Sequence, residues 1–187
     1  MTPTTFHPLS RALHWLMAGL ILAMLFIGVN MVGNLSPWHP TLVTLHKATG
    51  LALLVLVILR IVLRLSLPHP PLPHDLPPLQ RWAAGASHLA LYGLMLGMPL
   101  LGWAMLSAGD YPRPLGLPAI APHDLRLYAV LRLAHGWAGY LLFATILVHV
   151  GAALMHALVR RDGVMRAMWP GRVEPSRSTA ERSRPQA

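Results

Sequence analysis

The chain has 187 residues, 55% of them hydrophobic and 11% charged, with a formal net charge of +9. Its mean hydropathy is positive, a balance that fits an integral membrane protein rather than a soluble domain. The absence of cysteine removes thiolate haem ligation, iron–sulfur clusters, disulfides and covalent C-x-x-C-H haem attachment, and the length allows about four spans with no room for a separate soluble catalytic domain.

Residues 1–10 form a short polar start with Pro3 and Pro8. The first predicted span runs from His14 to about Val32, with Trp15 at the depth of an interfacial aromatic. It lacks a small-residue cleavage site and reads as a retained span, not a signal peptide. A short loop, NLSPWH at 34–39, leads to the second span at about 42–67. That span holds His46 near its start and Arg60 and Arg64 near its end. The two arginines are four residues apart and share a face, where they can snorkel or hold an anionic group. PHPPLPHDLPP at 68–78, with His69 and His74, is a stiff proline-rich connector that cannot be helical. The third span covers about 82–106, with His88 near its start and Pro99 predicting a kink. Ser107 to Leu125 is the longest loop, rich in turn signals. The fourth span, about 131–158, closes an all-α, four-helix membrane bundle over residues 9–171. The Ser-, Arg- and Pro-rich tail at 172–187 reads as disordered.

The basic residues cluster at the ends of apolar runs. This is a topology signal rather than a nucleic-acid signature, and no nucleic-acid partner is expected. With the N-terminus inside, eleven Lys and Arg fall on inner segments (Arg11, Arg60, Arg64, Arg81 and seven from Arg160 to Arg184). Four fall outside: Lys47, Arg113, Arg126 and Arg132. Both termini are therefore expected in the cytoplasm, in a multi-pass membrane protein.

Imidazoles inside apolar helices are costly unless they have a partner or a task. His135 and His149 are 14 residues apart, which returns to nearly the same helix face after ~21 Å of rise. The topology puts His46 and His135 at the outer level. His14, His88, His149 and His156 compete at the inner level. Two histidines facing across a bundle are a natural haem b site, whereas a bare metal ion usually takes more than two ligands. No carboxylate lies in any span. A small residue at i+4 follows four of the histidines: Gly50 after His46, Gly139 after His135, Ala18 after His14 and Ala153 after His149. Such a residue lets a flat macrocycle approach the backbone. The pattern selects His46 with His135 and His14 with His149 as axial pairs for two haem b groups. It sets His156 aside and leaves His88 between a supporting or quinone-side role and plain interfacial packing. On the residues alone, histidines acting only as interhelical links, and a proton or metal transporter, stay open.

The stretches SRALHWLMAGL at 10–20, LHKATGLALLVLVILRIVLRL at 45–65, PHPPLP at 68–73, SHLALYGLMLGMPLLGW at 87–103, AHGWAGYLL at 134–142 and LVHVGAALMHALVRRDGVMRAMWPG at 147–171 resemble the bacterial cytochrome b561 family of small di-haem membrane cytochromes. The resemblance covers residues 9–171; the outer loop PRPLGLPAIAPHDLRLYAVLR departs from it. It implies His14, His46, His135 and His149 as iron ligands. It also implies oxidation of periplasmic superoxide to oxygen with reduction of ubiquinone near the cytoplasmic haem. Lys47, Arg126 and Arg132 are then candidates for steering the anion. His88, Arg81 and Arg11 are candidates for the quinone end. Membrane lipid, quinone and superoxide are the expected partners. The alternative is a cytochrome b subunit that links a separate dehydrogenase or periplasmic redox partner to the quinone pool.

Overall fold

A computed structural model describes residues 4–33, 37–71, 73 and 75–169. His74 and the tail at 172–187 lie outside the described residues. The helices are α1 (Pro8–Gly33), α2 (His39–Ser66), α3 (Pro78–Ala108), α4 (Leu125–Leu154) and a short α5 (Val164–Met168). The first four are long and apolar enough to cross a membrane, α4 continuing to Arg160. No strand occurs among the described residues.

Local chemistry sets the ends. Pro40 and Pro78 sit in the first positions of α2 and α3, where a missing N–H costs nothing. The helical start of α3 therefore includes Pro78, which proline content alone places in the linker. Helix α2 stops where Leu67 becomes extended, because Pro68 follows and disfavours helical backbone before it. Helix α3 passes through Pro99 without ending. Helix α4 begins six residues before the expected 131, because the Asp124 carboxylate accepts from Arg126 N and Leu127 N and caps the first turn. Arg126 and Arg132 are thus both helical.

At its other end α4 widens into a π-helical turn, Met155–Arg160. The chain then reverses at Arg161 (φ 53°) and Gly163 (φ 82°). Helix α5 and Trp169 return along the start of α1. Phe6 N donates to Ala167 O, Trp15 Nε1 to Met168 O and an Arg11 guanidinium nitrogen to Trp169 O. The described N- and C-terminal segments therefore meet at one end of the bundle, called inner below.

Helix α1 packs on α2, α2 on α3 and α3 on α4. The pairs α1–α4 and α2–α4 are not closely packed. Leu13, Met17 and Ile21 of α1, Leu53, Leu54 and Val57 of α2, Leu91 of α3 and Leu142 of α4 form the core. Most other large apolar side chains point outward, Phe26 and Val29 among them. An apolar exterior of this extent suits hydrocarbon rather than water.

Candidate functional site

The four histidines singled out by spacing meet in two pairs at two depths. His46 of α2 and His135 of α4 have ring centroids 6.1 Å apart at an interplanar angle of 73°. His14 of α1 and His149 of α4 stand 6.4 Å apart, also at 73°. The helices that bring these rings together are the ones not packed on each other. An imidazole nitrogen bonds a first-row metal at about 2 Å, so two rings on opposite sides of one metal lie roughly 6 Å apart centre to centre. Both pairs meet that spacing. His46 Nδ1 is buried with no hydrogen-bond partner among the described residues, an arrangement that is costly for a polar atom without a task. No group of three or more His, Cys, Asp or Glu suited to a bare metal ion occurs among the described residues. The donor set fits haem b, with two imidazoles per iron and a macrocycle between helices.

Glycines on the neighbouring helices seat the outer pair. A side-chain carbon at Gly28 of α1 would stand 3.6 Å from His46 Cε1, and one at Gly102 of α3 would stand 3.5 Å from His135 Cε1. The i+4 glycines face methionines of the neighbouring helix. Gly50 faces the Met24 methyl and Gly139 the Met98 methyl; a side-chain carbon added at either glycine would stand 3.7 Å from that methyl. Spacing along one helix does not reveal Gly28 and Gly102, since each acts on a ring from a different helix.

The inner level is more polar. Arg60 of α2 donates to Ser10 O at 3.1 Å and reaches His14 Nδ1 at 3.1 Å. Arg64 lies over the Phe6 ring at 5.4 Å. A cleft runs between Phe6, Ser10, Arg60, Arg64 and Tyr92. His88 of α3 comes to 5.6 Å from the His149 ring and donates through Nδ1 to Ala84 O at 2.8 Å. Arg11 is drawn to Trp169 O, while Arg81 is exposed two turns before His88. His156 turns to Asp162, 2.6 Å away, and Arg160 holds both Asp162 and Asp75. Burial alone would raise the Asp162 carboxyl. The His156 hydrogen bond, the Val164 N–H and Arg160 outweigh it and hold that carboxyl below the usual carboxylate range.

At the outer end, Lys47 Nζ donates to Pro112 O at 3.1 Å. The loop after α3 is also tied by Trp103 Nε1 to Pro118 O and by Ile120 N to Ser107 Oγ. Lys47 is therefore a clasp on the loop as well as a positive charge. Arg126 and Arg132 are exposed on the first turns of α4, Arg132 three residues before His135.

Comparison with known proteins gives one consistent answer. The profile of the prokaryotic cytochrome b561 family matches residues 5–171. Cytochrome b561 homolog 2 of Escherichia coli (strain K12) is 28% identical over 174 residues, covering 89% of this chain and 92% of that protein. The probable superoxide oxidase CybB of Yersinia pestis is 28% identical over 169 residues, covering 87% and 94%. Cytochrome b561 homolog 1 of Escherichia coli (strain K12) is 28% identical over 174 residues, covering 86% and 94%. Four apolar helices, paired imidazoles and a match along nearly the whole length agree: the chain belongs to the prokaryotic cytochrome b561 family of haem b-binding, multi-pass membrane electron-transfer proteins.

Proposed function

We propose that the protein oxidises superoxide at the periplasmic face of the bacterial inner membrane and reduces ubiquinone at the cytoplasmic face, where both termini lie. The observation that carries this reading is the pair of imidazole pairs, 6.1 and 6.4 Å wide, at two depths on one helix. His46 with His135 would hold one haem b and His14 with His149 a second. When bound, these groups supply a one-electron carrier at each level. With two imidazoles held for each group, substrates would exchange electrons without binding the metal. Lys47, Arg126 and Arg132 place positive charge around the outer pair and attract an anion. His88, Arg81 and Arg11 lie towards the inner end as candidate donors to quinone oxygens and carriers of protons. The balance is two superoxide anions to two dioxygen molecules, with one ubiquinone taking up two electrons and two protons. The relative from Yersinia pestis, whose name includes superoxide oxidase, supports the choice of donor.

The test is superoxide-driven reduction of a soluble ubiquinone by the purified protein, with haem spectra followed in parallel. Fast haem reduction that slows with salt and in Lys47→Gln or Arg132→Gln is expected. Reduction insensitive to both would remove the steering roles, and indifference to superoxide would remove the donor.

A second reading, an electron-transfer subunit serving a periplasmic redox partner, draws on the outer loop. Leu115 is held there in left-handed backbone (φ 53°) and is 91% exposed. A stable co-purifying redox protein that reduces the haems, lost in Leu115→Asp, would favour it.

A further inference from the structure

The two halves of the bundle repeat one another. Positions 14, 19, 24 and 28 of α1 (His, Gly, Met, Gly) recur with the same residue types at 88, 93, 98 and 102 of α3, a constant offset of 74. His46 and Gly50 of α2 recur as His135 and Gly139 of α4, at an offset of 89. The packing repeats with the sequence: Gly28 on His46 matches Gly102 on His135, and Met24 on Gly50 matches Met98 on Gly139, with near-equal distances. Paired contacts of this kind are what a twofold relation between α1–α2 and α3–α4 produces, and the fixed offsets are its mark in the sequence.

At the inner end the relation breaks at one position. The first offset carries His14 onto His88, and the second carries Arg60 onto His149. Arg60 reaches His14 in one half, and His149 lies against His88 in the other. The inner level thus keeps three histidines of a symmetric set and has an arginine in the fourth place.

We propose that His88 is an exchangeable partner of His149, so that His14 and His88 are alternative ligands, one from each half, for the same inner haem iron. This rests on the reading of His149 as an axial ligand. Three observations support it. His88 is the twofold counterpart of His14. Its ring lies 5.6 Å from that of His149, close to the 6.1 and 6.4 Å of the other pairs. Its proton is also on the right nitrogen. A carbonyl can only accept, so His88 Nδ1 carries hydrogen towards Ala84 O, and the neutral ring presents a lone pair at Nε2. A metal-binding histidine commonly makes that backbone contact. A guanidinium can only donate, so a neutral His14 accepting from Arg60 carries its proton on Nε2. To bind iron through Nε2, His14 must release Arg60 or that proton; His88 need do neither.

The test measures haem per protein and the low-spin bis-imidazole signal by electron paramagnetic resonance. It uses detergent-purified wild type, His14→Leu, His88→Leu, His149→Leu and the His14→Leu/His88→Leu double variant. Two haems are expected in wild type and in either single His14 or His88 variant, with an altered inner low-spin signal in His14→Leu. One haem is expected in His149→Leu and in the double variant. The outer haem reports folding in each sample. One haem in both His14→Leu and His149→Leu overturns the exchange while leaving the His14–His149 pairing standing. Two haems in His149→Leu overturn the pairing itself. If His14→Leu fails to retain even the outer haem, His14→Gln replaces it, and one haem there overturns the exchange.

Discussion

Gly102 offers the sharpest quantitative prediction. A carbon added there meets His135 Cε1 at 3.5 Å and Nδ1 at 3.8 Å. Carbon atoms pack best at about 3.5–4.0 Å, so an alanine at this position touches the ring without displacing it. Alanine also favours helix over glycine by roughly 0.5–1 kcal/mol. Gly102→Ala is therefore expected to raise the melting temperature slightly and to leave the outer haem in place. Gly102→Leu is different, because its branch extends beyond an already closed contact. Overpacking of this kind costs about 1–3 kcal/mol, which is roughly 5- to 150-fold in haem affinity at the outer site. Gly97, on the same helix, has nothing within 4 Å of an added carbon, and Gly97→Leu serves as the control. The assay is haem titration of the apoprotein in detergent, read at the low-spin band of the outer haem. Unchanged outer affinity in Gly102→Leu, or an equal loss in Gly97→Leu, refutes the claim that Gly102 seats His135.

Other predictions address separate contacts. His46→Ala is expected to retain one haem of two, the inner one, and a reduced–oxidised spectrum still showing both would sink the outer assignment. Asp162→Asn removes the carboxylate charge and one of the two oxygens that between them accept from His156, Arg160 and Val164 N and is expected to cost about 1–3 kcal/mol in thermal unfolding at neutral pH. The Asp162 carboxyl is held below its ordinary range, so its stabilisation is present above the unfolded carboxylate value near 4 and disappears as pH falls through the lower folded value. Melting temperatures of wild type and Asp162→Asn that converge on acidification check the sign, and a constant gap contradicts it. Lys47→Met cuts the tie to Pro112 and is expected to speed proteolysis of the loop after α3 several-fold; equal cleavage rates would show that Trp103 and Ser107 hold the loop without it.

The spans and the two depths of histidine are legible in the sequence because they follow from hydropathy and from a 14-residue spacing that any helix converts into a shared face. The start of α4 is also present there, as an Asp placed to cap, but the continuous apolar run begins later. What spacing along one helix cannot give is the rotation of a neighbour. Gly28, Gly102 and Arg60 act on rings belonging to other helices, and their roles emerge only when α1–α2 and α3–α4 are assembled. The return of α5 is equally hidden. Five helical residues have little stability of their own, and tertiary contacts to Phe6, Arg11 and Trp15 hold them in place. The repeat at offsets 74 and 89 is readable in the chain once it is aligned with itself, but it is spread over two helices per half and too sparse to stand out from hydropathy alone.

The clasp between residues 6–15 and 167–169 also fixes an order of events during synthesis. The first helix emerges from the ribosome about 150 residues before the carbonyls that hold it. Until those last residues are made, the start of α1 lacks the carbonyls of Ala167, Met168 and Trp169 that hold it to the segment after α4. A truncation just before Val164 would leave all four paired histidines present and these contacts unmade.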